Sequence, residues 1–294
     1  RETPEEFGPP VAVRDTVYLP IGDEVVADPL ANDFDPAGGV LVLQSVTLPD
    51  GAPVQPAILN YRMVRFTAQA GFREPVVATY TVSNGTQSAT GEILVQPAPA
   101  ADTQQPPVVP DLEVSVRTGG VVTIPALAKA YDPDGDSISL SSEITQLPAD
   151  QGLLFISGNQ IRYQAPDAPI AVDNVVFTVL DSAGNATSAL LKITVHEPNA
   201  ETKQPPSPVD VTARVYQGET VRIPIQLVGI DPDGDGIVLL GLDRAPTKGR
   251  VVERGADYFI YEPLAGELGT DEFTYAVEDW VGQRSVAKIR VGIA

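Results

Sequence analysis

Cysteine is absent from this 294-residue chain, which excludes disulfides, thiolate metal sites and cysteine nucleophiles. Basic residues are few, with 19 Lys and Arg against 39 Asp and Glu, so the formal net charge is −20. Nucleic acids and anionic membrane surfaces require a basic face, and we therefore expect neither as a partner. No apolar run approaches the ~20 residues of a membrane-spanning helix, so no membrane insertion is expected. With no signal peptide at Arg1, we expect a mature or excised piece of a longer protein.

A segment of roughly a hundred residues occurs three times, and a regular period of this length predicts an array of whole domains. The sequence Asp-Pro-Asp-Gly-Asp at Asp132–Asp136 returns at Asp231–Asp235, and a degenerate copy lies at Asp35–Gly39. Aromatic residues recur with it, and we expect them in the domain cores: Phe66, Tyr163 and Tyr261 at one position, Tyr80, Phe177 and Tyr275 at another.

The repeat sets the predicted domain boundaries. We place a disordered leader at 1–8, domains at 9–97, 108–197 and 208–294, and linkers at 98–107 and 198–207. Proline is frequent in both linkers, which predicts stiff connections.

Short strands dominate each repeat. Repeat 2 contains seven runs rich in Val, Ile, Phe and Tyr, bounded by Gly, Pro, Asp and Asn. In the last run Leu191, Ile193 and Val195 lie on one face and Leu190, Lys192 and Thr194 on the other. We predict an all-β protein of three tandem immunoglobulin-like (cadherin-like) β-sandwich domains in an extended array, on the order of 100 Å long.

Aspartates are concentrated in the predicted B–C and F–G loops, which lie at the same end of an immunoglobulin-like sandwich. The candidate ligands are Asp132, Asp134, Asp136 and Asp181 in repeat 2, and Asp231, Asp233, Asp235 and Asp279 in repeat 3. Hard oxygen ligands without His or Cys suit Ca²⁺, so we predict Ca²⁺ in domains 2 and 3, next to the preceding linker. The alternative is that Asp-Pro-Asp-Gly only makes a good β-turn.

Repeat 1 departs from this pattern. Ala37 and Gly39 replace two of the acids, and we expect Ser83 at the place of Asp181 and Asp279, so no ion is predicted there. An EF-hand is rejected, since Leu242 stands at the twelfth position of the repeat 3 loop and the flanking segments are strands.

Three phrases carry a family resemblance: Leu30–Pro36 (Leu-Ala-Asn-Asp-Phe-Asp-Pro), Phe177–Gly184 and Tyr275–Gly282. With the Asp-Pro-Asp-Gly-Asp loops, they resemble the bacterial immunoglobulin-like and cadherin-like tandem repeats of large exported surface proteins. The resemblance implies β-sandwiches, an extracellular or cell-surface location, and frequent Ca²⁺ near domain junctions. It says little about function, because such repeats serve adhesins, stalks and enzyme accessory modules.

We do not expect an enzyme. The single histidine, His196, ends the last strand of repeat 2, and no Gly-x-Ser-x-Gly turn accompanies it. We predict a stalk or spacer that presents another module of a longer chain, with adhesion to a glycan or surface protein as an added role. The alternatives are a glycan- or protein-binding module that uses Trp280, and an accessory region of a secreted polysaccharide-degrading enzyme. Trp280 could equally pack on a neighbouring domain.

Overall fold

The computed structural model describes residues 7–98, 104–198, 204–234 and 236–294. Most of the predicted leader and half of each predicted linker lie outside these ranges, so their disorder and stiffness stay predictions. Within the described ranges, helix is limited to 3-10 turns at Pro29–Ala31 and Ala149–Gln151. No described helix is long and apolar enough to cross a membrane.

Domain 1 is a sandwich of seven strands in two sheets. The strands are β1 Asp15–Pro20, β2 Glu24–Ala27, β3 Val42–Thr47, β4 Val54–Leu59, β5 Met63–Ala68, β6 Val76–Ser83 and β7 Ser88–Ala98. The larger sheet has the order β1-β7-β6-β3 and the smaller one β2-β5-β4. Strands β1 and β7 are parallel, whereas the other pairs are antiparallel.

Domains 2 and 3 repeat this arrangement. Domain 2 has β8 Leu112–Arg117, β9 Val121–Ile124, β10 Ile138–Ile144, β11 Leu153–Ser157, β12 Gln160–Gln164, β13 Ile170–Asp181 and β14 Ala186–His196. Domain 3 has β15 Val211–Val215, β16 Val221–Pro224, β17 Val238–Arg244, β18 Gly249–Arg254, β19 Tyr258–Pro263, β20 Gly269–Glu278 and β21 Arg284–Ile293. Their larger sheets are β10-β13-β14-β8 and β15-β21-β20-β17, and their smaller sheets are β11-β12-β9 and β16-β19-β18. The prediction of three immunoglobulin-like sandwiches is confirmed.

Each domain has its own hydrophobic core, which explains why strands form where side chains alternate. In β14 Leu191, Ile193 and Val195 are buried, while the alternating residues Leu190, Lys192 and Thr194 are exposed, as predicted. The recurring aromatics are fully buried in the three cores: Phe66, Tyr80, Tyr163, Phe177, Tyr261 and Tyr275. Burial of such large side chains is the main source of stability for a domain without disulfides.

The prediction of an extended array is wrong, because domain 1 packs against domain 3. Val40 and Val42 point away from the core of domain 1, yet both are buried. They lie against β21 at Gly292, where an added Cβ would stand 2.9 Å from a methyl of each valine. A strand backbone without a side chain therefore lets the two domains approach closely.

Polar contacts flank this apolar contact between domains 1 and 3. The Arg214 guanidinium donates to the Leu41 carbonyl oxygen at 2.6 Å, and the Arg290 guanidinium donates to the Gly38 carbonyl oxygen at 2.5 Å. The Val40 amide donates to Thr270 Oγ1 at 2.8 Å. All three bonds involve the backbone of Gly38–Leu41, the segment that leads into β3, so domain 3 holds this segment.

Two tyrosines close the edge of the same interface. The rings of Tyr61 in domain 1 and Tyr216 in domain 3 lie 4.3 Å apart between centroids. Tyr61 also donates its hydroxyl proton to Glu219 of domain 3, which raises the pKa of Tyr61 to about 12. Together the contacts fold the array back on itself and bring its first and third domains together.

Candidate metal site and domain junctions

The B–C loop of domain 2 is a tight turn organised by one aspartate. The Gly135 amide donates to the Asp132 carbonyl oxygen at 3.1 Å, and Gly135 has the positive φ of 80° that glycine adopts readily. Asp132 Oδ1 accepts the amides of Asp134 and Asp136 at 2.8 and 3.2 Å. Asp132 therefore organises the predicted turn through its Oδ1 and leaves Oδ2 for another partner.

Three carboxylates converge in domain 2. Asp132, Asp136 and Asp181 each place one carboxylate oxygen within 4.8 Å of the others. Oδ2 of Asp132 and Oδ2 of Asp136 are buried and accept no hydrogen bond. A buried carboxylate oxygen without a donor is costly, and a hard cation would satisfy several such oxygens at once. The donor set of this cluster therefore fits Ca²⁺.

Electrostatics in this cluster oppose charge on one carboxylate. Burial raises the pKa of Asp136, and the negative charges of Asp132 and Asp181 raise it further. Asp23, in the β1–β2 turn of domain 1, adds to the same effect across the domain junction. Burial also disfavours charge on Asp181, but hydrogen bonds from Asn185 and the amides of Ala183 and Gly184 together outweigh it and lower the pKa of Asp181.

Asp134, a predicted ligand, lies apart from the other three. Its Oδ2 accepts the backbone amide of Gln105 at 2.6 Å, in the segment that leads into domain 2. This contact ties the B–C loop to the incoming chain and leaves Asp134 outside the carboxylate cluster.

Domain 3 arranges its aspartates differently. Asp231 and Asp279 are buried, with exposed fractions of 7% and 5%. Asp231 Oδ1 accepts the Asp233 amide at 2.7 Å, while its Oδ2 is buried and accepts no hydrogen bond. Asp279 Oδ1 accepts the Val281 and Gln283 amides. Asp235 lies outside the described residues, and the described aspartates of this domain do not form a cluster like that of domain 2.

Residues of domain 2 reach the domain 3 loop. The Arg117 amide donates to the Asp233 carbonyl oxygen at 3.1 Å, and His196 Nε2 lies 3.4 Å from Asp233 Oδ1. The Arg117 guanidinium carbon lies 4.3 Å from the centre of the Trp280 ring, a cation–π contact. Trp280, at 37% exposure, thus packs under a side chain of the neighbouring domain. His196 belongs to this junction as well.

Burial raises the pKa of Asp231, and the negative charges of Asp233 and Asp279 also raise it, whereas Arg117 acts in the opposite direction. The domain 3 loop therefore has a positive side chain within electrostatic reach.

In domain 1 an asparagine, Asn84, takes the place of the F–G aspartate, whereas Ser83 was predicted at this position. The amides of Asn84, Asp181 and Asp279 make the same turn-closing bond, to the carbonyl oxygens of Gln87, Asn185 and Gln283. The prediction was wrong by one residue because the F–G turn of domain 1 is one residue shorter than those of domains 2 and 3. Asn84 Nδ2 donates to Asp35 Oδ1 at 3.2 Å, so a neutral donor satisfies the carboxylate there.

Asp23, Asn84 and Arg117 were missed by the sequence reasoning, which considered only acidic residues of the B–C and F–G loops. Asp23 and Arg117 lie in the β1–β2 turn and at the end of β8, at the pole of one sandwich that faces the loops of the next. Comparing these turns between repeats would have shown that their charges have opposite sign.

A family model described as "Bacterial Ig domain" matches residues 8–96, 104–194 and 203–292, which is nearly the whole chain. No curated protein matches.

Among solved structures, an endo-fucoidan hydrolase from glycoside hydrolase family 107 is similar, with 16% identity and a TM-score of 0.29 over 98% of this chain and 44% of that one. The Sidekick-1 immunoglobulin domains 1–4 are similar with 11% identity and a TM-score of 0.37, over 95% of this chain and 71% of that chain. The human Desmocollin-1 ectodomain gives 12% identity and a TM-score of 0.25, over 97% and 58%. The chain thus spans less than half of the hydrolase, and TM-scores this low carry no functional argument.

Proposed function

Because this chain belongs to the bacterial Ig domain family, we propose that it is a non-catalytic structural segment of an exported surface protein, in which domain 2 binds Ca²⁺. Bacterial Ig domains are typical of surface and exported proteins, which supports the location. The role is to hold neighbouring modules of a longer chain at a fixed distance and orientation. The packing of domain 1 on domain 3 makes this segment a compact platform rather than a rod.

The observation that carries the calcium proposal is the cluster of Asp132, Asp136 and Asp181 with its two buried, unpaired oxygens. When bound, Ca²⁺ would supply positive charge to oxygens that have no other partner. The protein residues do the structural work: Asp132 and Asp136 come from the B–C loop and Asp181 from the end of β13, so one ion would join two loops. Asp23 brings domain 1 into the same electrostatic field.

Calcium titration of the full chain, followed by scanning calorimetry, tests the proposal. Linkage predicts that Ca²⁺ at a hundredfold excess over its dissociation constant stabilises the domain that binds it by about 2.7 kcal/mol. Asp136→Asn should abolish this stabilisation. Asp150→Asn, which removes one exposed carboxylate of domain 2 outside the cluster, is the matched control and should respond like the wild type. An unchanged wild-type midpoint in Ca²⁺, or an equal rise in Asp136→Asn, would refute the site.

A further inference from the structure

Domains 1 and 2 present charges of opposite sign to the domain that follows each of them, but from different positions of the same turn. The Ile21 amide bonds the Ala98 carbonyl oxygen in domain 1, and the Thr118 amide makes the same bond to His196 in domain 2. Pro20 and Arg117 immediately precede these amides, so Arg117 and His196 replace Pro20 and Ala98. Domain 2 therefore offers two basic side chains to domain 3, at positions where domain 1 offers none to domain 2.

Acidic residues show the reverse distribution. Asp23 lies three residues after Pro20, and Gly120 lies three residues after Arg117. The turn of domain 1 thus brings a further negative charge near the aspartate cluster of domain 2, where two oxygens lack hydrogen-bond partners. The corresponding turn of domain 2 adds no carboxylate to domain 3.

The turn of domain 2 is seated closely on the domain 3 loop. A Cβ added at Gly234 would lie 3.0 Å from both a Val116 methyl and the Val121 carbonyl oxygen. Arg117 adjoins Val116, bonds Asp233 through its backbone and lies over Trp280. This packing fixes the position of the Arg117 guanidinium relative to the loop.

Both the loop and the arginine carry a buried group without a hydrogen-bond partner. Asp231 is more than nine-tenths buried, and its Oδ2 accepts no hydrogen bond. Arg117 Nη1 is also buried and donates none. The positive charge of Arg117 favours the negative charge of Asp231 through space, in opposition to burial, which raises the pKa of Asp231.

We propose that the Arg117 guanidinium is the built-in cation of the domain 3 loop, taking the place of the metal ion that the domain 2 loop binds. Only the junction between domains 1 and 2 then depends on a metal. This inference rests on the proposed calcium site of domain 2. It adds that the two junctions use different cations, Ca²⁺ between domains 1 and 2 and the Arg117 guanidinium between domains 2 and 3. Removing Arg117 should accordingly leave Asp231 and Asp279 without a cation and allow their loops to bind a metal ion.

Calcium stoichiometry of the full chain, measured by isothermal titration, is the primary test. We expect one site in the wild type, lost in Asp136→Asn, and a second site in Arg117→Ala that is lost on adding Asp231→Asn. Arg117→Lys should keep one site, because it keeps the charge. Arg162→Ala, which removes a cation from β12 of the same domain, is the matched control and should also keep one site.

Terbium luminescence gives a local measurement that does not depend on stoichiometry. Trp280, the single tryptophan, follows Asp279 and sensitises a lanthanide bound in the domain 3 loop. Excitation at the red edge of the tryptophan band should give strong terbium emission in Arg117→Ala and little in the wild type or in Arg117→Lys. Near-ultraviolet circular dichroism checks that each variant remains folded.

Two results would overturn the inference: two calcium sites in the wild type, or a single site in both the wild type and a folded Arg117→Ala. A wild type that binds no calcium is a separate outcome, since it refutes the calcium site of domain 2. In that case the inference also falls, unless the terbium signal still appears on removal of Arg117.

Discussion

Replacing Gly292 with threonine should separate domain 1 from domain 3 while leaving both domains folded. Gly292 lies in β21, and domain 2 carries Thr194 at the equivalent strand position, so threonine suits the backbone there. At Gly292, however, a Cβ would already stand 2.9 Å from the methyls of Val40 and Val42 and 3.1 Å from the Val40 carbonyl oxygen.

The magnitude follows from the contacts involved. Forcing extra side-chain atoms into a well-packed contact costs typically about 1–3 kcal/mol. Because each 1.4 kcal/mol is a factor of ten in an equilibrium constant, the ratio of closed to open molecules should fall about five- to hundredfold. The bonds that hold the closed form, such as those from Arg214 and Arg290, contribute about 0.5–1.5 kcal/mol each, so the loss is of comparable size.

Small-angle X-ray scattering measures the outcome. The wild type should have the small radius of gyration of a folded-back array, and Gly292→Thr should approach the larger value of an open chain with an unchanged unfolding midpoint for each domain. Thr194→Val is the control, because the Thr194 side chain is exposed and lines a surface depression formed by residues of domain 2. A wild type that is already extended, or a Gly292→Thr variant as compact as the wild type, would refute the role of this contact.

Three further predictions concern the carboxylates. Asn84→Asp should destabilise domain 1 in chelator, because a second charge then faces Asp35 in place of an amide donor, and thermal unfolding of the domain checks this. In chelator, wild-type domain 2 should lose stability relative to Asp136→Asn as pH rises from below 3.8 through the raised pKa of Asp136, because the folded state holds that proton more tightly than the unfolded state. Urea unfolding of both proteins across this pH range tests the prediction. If the free energies of unfolding of the two proteins changed with pH in parallel, the prediction would be contradicted. Asp271→Asn should destabilise domain 3 by about 1–3 kcal/mol, because the buried carboxylate accepts the Lys248 amide and the Tyr261 hydroxyl, and Asp257→Asn is an exposed control for the same denaturation experiment.

The strand pattern predicted the fold because each domain buries its own alternating residues. The alternation of side chains in Leu190–Val195 predicted which face of β14 lies in the core and which faces solvent, and the structure has the same two faces. Such local periodicity reflects burial within one domain, so the same pattern predicted the same sandwich in each of the three repeats.

Contact between distant domains was not predicted, although one signal was present. Val40–Leu43 are four consecutive apolar residues, whereas the equivalent Ser137–Leu140 alternates polar and apolar. A continuous apolar run indicates that both faces of a strand are buried, and a single sandwich buries only one. The extra face of β3 therefore required a partner, but nothing local could identify that partner as β21.

The candidate site was predicted in composition but only partly in geometry. Asp132, Asp136 and Asp181 come together because the B–C and F–G loops share one end of the sandwich. Asp134 turns toward the incoming chain instead, since its side chain bonds the Gln105 amide. The charges of Asp23 and Arg117 act across domain junctions, and a comparison restricted to the B–C and F–G loops of each repeat could not reveal them.

The parallel pairing of the first and last strands in every domain determines how the array carries mechanical tension. In domain 1 the register runs from Asp15 opposite Ile93 to Pro20 opposite Ala98, and β8 with β14 and β15 with β21 pair in the same way. The chain enters at the start of one strand and leaves at the end of its parallel neighbour. A pull on the two ends therefore loads the hydrogen bonds between them in shear, so that they must break together rather than one after another. Each sandwich therefore resists stretching as a unit.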